Sequence, residues 1–133
     1  MKTIKLAVIG AFLSIFVYSS ALSQSLIFCE SVDKYGKPNN PSDTFDVDTS
    51  GSIITVLVKP GHSLNTSYIQ YEIYAFDDTL AIYNNMERQD VHCDWLFCWQ
   101  RFSFKDEGKY RITAYTDDNV TLGSGELYIK VLK

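Results

Sequence analysis

From Tyr68 to Phe76 the side chains alternate between two faces without a break. Ile69, Tyr71, Ile73 and Ala75 share one face; Tyr68, Gln70, Glu72, Tyr74 and Phe76 share the other. A period of two is the period of a strand, and it cannot give a helix an apolar stripe. The rest of the chain follows suit. Ser52 to Lys59 is rich in β-branched residues and apolar on both faces, which predicts a central strand ended by Pro60-Gly61. Leu26 to Val32, Thr44 to Val47, Trp95 to Phe104, Lys109 to Thr116 and Gly123 to Leu132 read as further strands, and Leu80 to Asn84 as a short extra one. Thr44 to Val47 is short enough to be an edge. Asp33 to Ser42, with two prolines, a glycine and two asparagines, reads as a loop, and so does the polar stretch Asn84 to Val91. The pattern predicts an all-β fold: a single antiparallel β-sandwich of seven or eight strands.

The first residues carry a different signal. Lys2 and Lys5 precede an almost wholly apolar run from Leu6 to Tyr18, and Ala21 and Ser23 have the spacing that a signal peptidase reads. Cleavage is expected before Gln24. The apolar run is too short for a bilayer span of about 20 residues. Residues 1–23 are therefore expected to be a signal peptide and 24–133 one domain, secreted or periplasmic, with no membrane span in the mature chain. The net charge is −4, and loss of Lys2 and Lys5 makes the remainder more acidic. Such a domain has no electrostatic reason to bind nucleic acid or an anionic membrane.

Export makes a disulfide feasible, yet Cys29, Cys93 and Cys98 are an odd number. On one continuous strand Cys93 and Cys98 would stand roughly 17 Å apart, beyond disulfide reach. Their pairing needs a turn through Asp94 to Phe97; Cys29 pairing with either is the other option. A buried free thiol is the favoured reading of Cys29.

No nucleophile motif stands out. His92 and Cys93 are adjacent, and adjacent strand residues face opposite ways, so they do not read as base and nucleophile. His92, Cys93, Asp94 and Cys98 match no zinc spacing, and Asp46, Asp48, Asp117, Asp118 and Asn119 lack the pattern of a calcium loop. The expectation is no enzyme, no metal and no cofactor.

The stretch Phe104-Lys-Asp-Glu-Gly-Lys-Tyr110-Arg-Ile112 resembles the corner of immunoglobulin-like domains, where Asp-x-Gly-x-Tyr leads into a central strand. Ile112 stands where antibody-type domains have a cysteine. With the alternating Gly125–Val131 end, the chain is more similar to bacterial immunoglobulin-like and PKD-like domains. The resemblance implies an immunoglobulin-like sandwich whose Tyr110 hydroxyl ties the corner to nearby backbone. Phe28-Cys29-Glu30, Val32-Asp33, Asn40-Pro41-Ser42 and Asp94-Trp95 also look similar to small exported bacterial proteins of uncharacterised function.

In such a sandwich Tyr68, Tyr74, Arg111, Tyr115 and Tyr128 would share one outer sheet face with Gln70, Glu72 and Lys130. Tyr and Arg dominate protein-binding hot spots, and flat aromatic arrays stack on sugars. The expected function is a non-catalytic binding module for an envelope protein or glycan, using this face or the end loops. The alternatives are a structural or assembly subunit pairing through edge strands, or a secreted peptidase inhibitor presenting Asp33–Asp43 or Asn84–Val91. The run Trp95-Leu-Phe-Cys-Trp99 is apolar on both faces, and burial of both is the expectation.

Overall fold

The computed structural model describes residues 25–132, so the expected signal peptide lies outside the described residues. Ten strands and no helix occur among them: β1 (Leu26–Cys29), β2 (Ser31–Val32), β3 (Pro38–Asn39), β4 (Thr44–Val47), β5 (Ser52–Val58), β6 (Tyr68–Asp77), β7 (Leu80–Asp90), β8 (Cys98–Phe104), β9 (Gly108–Tyr115) and β10 (Thr121–Val131). The fold is all-β.

One sheet has the order β1-β5-β8, a second β4-β10-β9-β6-β7, and β2 and β3 form a small ribbon. The expected count of seven or eight strands is corrected to ten. The expected antiparallel arrangement is corrected too, because β4 runs parallel to β10, with Thr44 opposite Tyr128 and Val47 opposite Val131. The other pairings are antiparallel.

Alternation places the core. Leu26, Phe28, Ile54, Val56, Val58, Phe102 and Phe104 come from the smaller sheet. They join Val47, Ile69, Tyr71, Ile73, Tyr110, Ile112, Leu127 and Ile129 from the larger one in a single buried cluster. Each such side chain stabilises the fold by about 1.5–3 kcal/mol through burial. Strand β5 is central in its sheet, as its two apolar faces predict: Thr55 and Leu57 are buried on the side away from that cluster. The Tyr110 hydroxyl donates to the Asp106 carbonyl at 2.8 Å and fixes the turn before β9.

Two boundaries differ from the sequence reading. Strand β7 spans what reads as a short strand plus the polar loop Asn84–Val91, so that loop is no loop. It is an edge strand with mostly exposed side chains, and so it has no apolar face to alternate. Strand β8 begins at Cys98; Trp95 to Phe97 lie outside it, in the irregular segment after a turn at Cys93 and Asp94.

The sandwich closes differently along its two sides. Beside β1 and β10 the sheets approach closely. A Cβ on Gly125 would meet the Phe28 ring at 2.8 Å, and one on Gly123 would meet Ser25 Oγ at 2.5 Å. Ser25 Oγ also donates to the Leu122 carbonyl. On the opposite side stand β8 and β7, each an edge strand of its own sheet. They share no ladder, and this seam stays open.

Candidate functional site

The open seam holds a cleft of about 590 Å³, lined by Gln89 of β7, Trp95, Leu96 and Phe97 of the segment leading into β8, and Cys98, Trp99 and Gln100 of β8. A second hollow of about 460 Å³ lies farther along the seam, lined by Asn84, Glu87, Phe102, Lys105 and neighbouring residues. The first is walled by apolar side chains and carries no charged residue.

The wall is built by the turn. Trp95 N–H donates to the His92 carbonyl at 3.1 Å, closing a β-turn over Cys93 and Asp94. Asn65 N–H donates to the Cys93 carbonyl (3.0 Å) and Leu64 N–H to the Trp95 carbonyl (2.8 Å), which pins the turn to the segment before β6. Phe97 then packs on Gly36, where a Cβ would stand 2.7 Å from its ring. Trp95, Leu96 and Trp99 stay 48%, 62% and 38% exposed. The expected burial of both faces of this run is therefore corrected: Cys98 faces the core, while the two indoles and Leu96 stand around the cleft. Once Trp95 and Leu96 leave the strand, its alternation no longer decides where they point.

The floor is polar. Gln89 Nε2 donates to the Trp99 carbonyl at 2.8 Å, linking the two sheet edges, and Gln89 Oε1 accepts from the Tyr71 hydroxyl at 2.7 Å. The Tyr71 hydroxyl also lies 3.6 Å from Cys98 Sγ. Burial pushes the Cys98 thiol up, against a smaller lowering by the Tyr71 hydrogen bond, and burial likewise pushes the Tyr71 phenol up. Both shifts favour the protonated forms. All three cysteines are free: Cys29 and Cys98 are buried and Cys93 is exposed.

The residues picked from sequence lie elsewhere. Tyr68 and Tyr74 are on β6, Arg111 and Tyr115 on β9, and Tyr128 on β10, three strands adjacent in the larger sheet. Tyr68, Tyr74 and Arg111 pack on one another and on β7. The Arg88 guanidinium lies 3.8 Å over the Tyr68 ring, Arg111 lies 5.0 Å over Tyr74, and Tyr83 meets Tyr74 edge-on at 5.9 Å. Tyr68, Tyr74, Arg111 and Tyr115 are half-buried, while Tyr128 is exposed. Tyr74 and Arg111 stand opposite each other across β6 and β9, Tyr115 is opposite Gln70, and Tyr128 is opposite Lys109 on the β10 side. The cleft residues Gln89 and Gln100 escaped sequence reading because Gln89 sits in a polar stretch without periodicity. The doubly apolar run Trp95–Trp99 was the one available signal.

Just before Trp95 the turn gathers His92, Cys93 and Asp94, all exposed, with their potential ligand atoms within 4.8 Å of one another. The expectation that His92 and Cys93 point apart assumed a strand; a β-turn has no such alternation.

No family model and no curated protein matches the chain. Solved structures do match. They include the superoxide reductase (neelaredoxin) of Ignicoccus hospitalis, at 12% identity over 84% of this chain and 87% of that one, with a TM-score of 0.43. Two variant forms of it match at 12% and 13% identity, over 86% and 84% of this chain and 86% of theirs, with TM-scores of 0.47 and 0.44. These findings correct the expected immunoglobulin-like or PKD-like family, since the matched structures carry another name. They also correct the expected non-catalytic binding module, with its assembly and inhibitor alternatives, and the expectation of no enzyme, since the matched structures are of enzymes. No residue role passes from them to this chain.

Proposed function

We propose that this chain takes a small, uncharged, largely apolar organic molecule into the cleft at the β7–β8 seam. The observation that carries this reading is the exposure of Trp95, Leu96 and Trp99 around one cleft. Ligand sites typically have volumes of about 300–1,000 Å³, apolar walls and a few placed polar groups. Here the walls are indole, phenyl and isobutyl, and the polar groups are the Gln89 and Gln100 amides. Gln89 already uses its oxygen and one N–H within the protein, which leaves a second N–H for a ligand. With no charged group in the lining, a carboxylate or phosphate would lose its hydration without gaining a partner. A sugar would turn most of its hydroxyls toward apolar walls. An aromatic or branched aliphatic molecule with one weak polar group meets neither cost.

Titration with Nile red, a flat neutral dye, tests the reading. The dye is expected to bind saturably at one per chain and to shift its emission to the blue. Leu96→Asp places a charge on the rim at an exposed position, so the fold persists. It is expected to weaken dye binding at least about tenfold, or about 1.4 kcal/mol. Absence of binding, or equal affinity in the variant, overturns the proposal.

A further inference from the structure

We propose that the His92–Cys93–Asp94 turn is a site for a divalent ion of zinc type, held by imidazole, thiolate and carboxylate. The site rests on geometry alone and does not depend on what the cleft binds. His92 Nδ1 lies 3.8 Å from Asp94 Oδ2, and Cys93 Sγ lies 3.9 Å from Asp94 Oδ1. Bonds of about 2.0–2.3 Å to a tetrahedral zinc ion place neighbouring ligand atoms about 3.3–3.8 Å apart. Those two distances run to the two carboxylate oxygens of Asp94, and all three donors lie within 4.8 Å of one another, so side-chain rotations alone bring them to that spacing. Nitrogen, sulfur and oxygen donors together suit zinc or cobalt(II) over magnesium or calcium, which take oxygen alone.

The backbone is set in advance. The turn is closed by Trp95 N–H on the His92 carbonyl and anchored by Asn65 N–H on the Cys93 carbonyl and Leu64 N–H on the Trp95 carbonyl. The ion therefore orders side chains only, and the entropy cost of binding is small. One contact competes: Asp94 N–H donates to His92 Nδ1 at 3.2 Å. The group is exposed, so water takes that N–H when the nitrogen turns to the metal. Three protein ligands leave a fourth position open to solvent. That is the arrangement of sites in which zinc acidifies a bound water, as opposed to closed structural sites. Trp95, the next residue in the chain, lines the cleft.

Cobalt(II) chloride added to the metal-free chain tests this by absorption spectroscopy. A thiolate-to-cobalt charge-transfer band is expected to grow to one ion per chain and to disappear when zinc is added. Cys93→Ser is expected to abolish the band, and His92→Ala or Asp94→Asn to weaken binding at least tenfold. All three positions are exposed, and an unchanged far-ultraviolet circular dichroism spectrum shows that the variants fold. Absence of the band, or a band that survives in Cys93→Ser, overturns the proposal.

Discussion

At the scale of the residue, burial separates the three thiols. Cys93 is exposed while Cys29 and Cys98 are buried. Ellman's reagent is expected to react rapidly with one thiol per native chain, and with all three only after unfolding. Rapid reaction of two or three contradicts the burial. Burial also pushes the Cys98 and Cys29 thiols above their ordinary value of 9.0. As pH rises past that value the unfolded chain gives up these protons first, so it binds fewer than the native chain. The stability they contribute is complete below it and falls as pH climbs toward the raised native values. Urea midpoints are expected to drop in that alkaline range, and Cys98→Ala to make the drop shallower; a midpoint that rises there contradicts the assignment. Gly36 is the other telling residue. Its φ is +80°, and a Cβ there would strike the Phe97 ring. Gly36→Ala is expected to cost about 1–3 kcal/mol and to loosen the cleft wall. Thermal melts of the variant check this.

At the scale of the element, the strands with a buried face were legible and the others were not. Strand β6 alternates because Ile69, Tyr71 and Ile73 face the core. Strand β5 is apolar on both sides, and both are covered from Ile54 onward, while Ile53 stays exposed. Strand β7 shows water on most positions, so no period marks it, and its far half reads as loop. The Trp95–Phe97 stretch has strand composition but turns, held by backbone bonds to Leu64 and Asn65 that no local pattern announces. The parallel pairing of β4 with β10 is equally silent, since it joins segments about eighty residues apart and depends on their register alone. Gln89 joins the two edge strands. Gln89→Leu strips partners from the Tyr71 hydroxyl and the Trp99 carbonyl and is expected to destabilise the fold by about 1–3 kcal/mol. Urea unfolding of Gln89→Leu beside the parent measures it, and equal stability contradicts the role of Gln89 as the link across the seam.

At the scale of the whole molecule, two sheets share one core, meet tightly beside β1 and β10, and part beside β7 and β8. Close approach on the first side relies on Gly123 and Gly125. The open side leaves edge strands unladdered, and the chain fills part of that gap with two tryptophans, a leucine and a phenylalanine. The site is thus a product of sheet order, which explains why a reading strand by strand chose the tyrosine face of the larger sheet instead. That face is aromatic because its cross-strand neighbours pack on one another. The two tryptophans of the chain both line the cleft, so their indole N–H resonances report on it. The most direct measurement follows those signals by heteronuclear NMR during a Nile red titration. Both indole signals and the Gln89 side-chain amide are expected to shift along one saturation curve, while backbone signals of Tyr115 and Tyr128 hold still. Unmoved indoles, with shifts on β9 and β10 instead, would contradict the account.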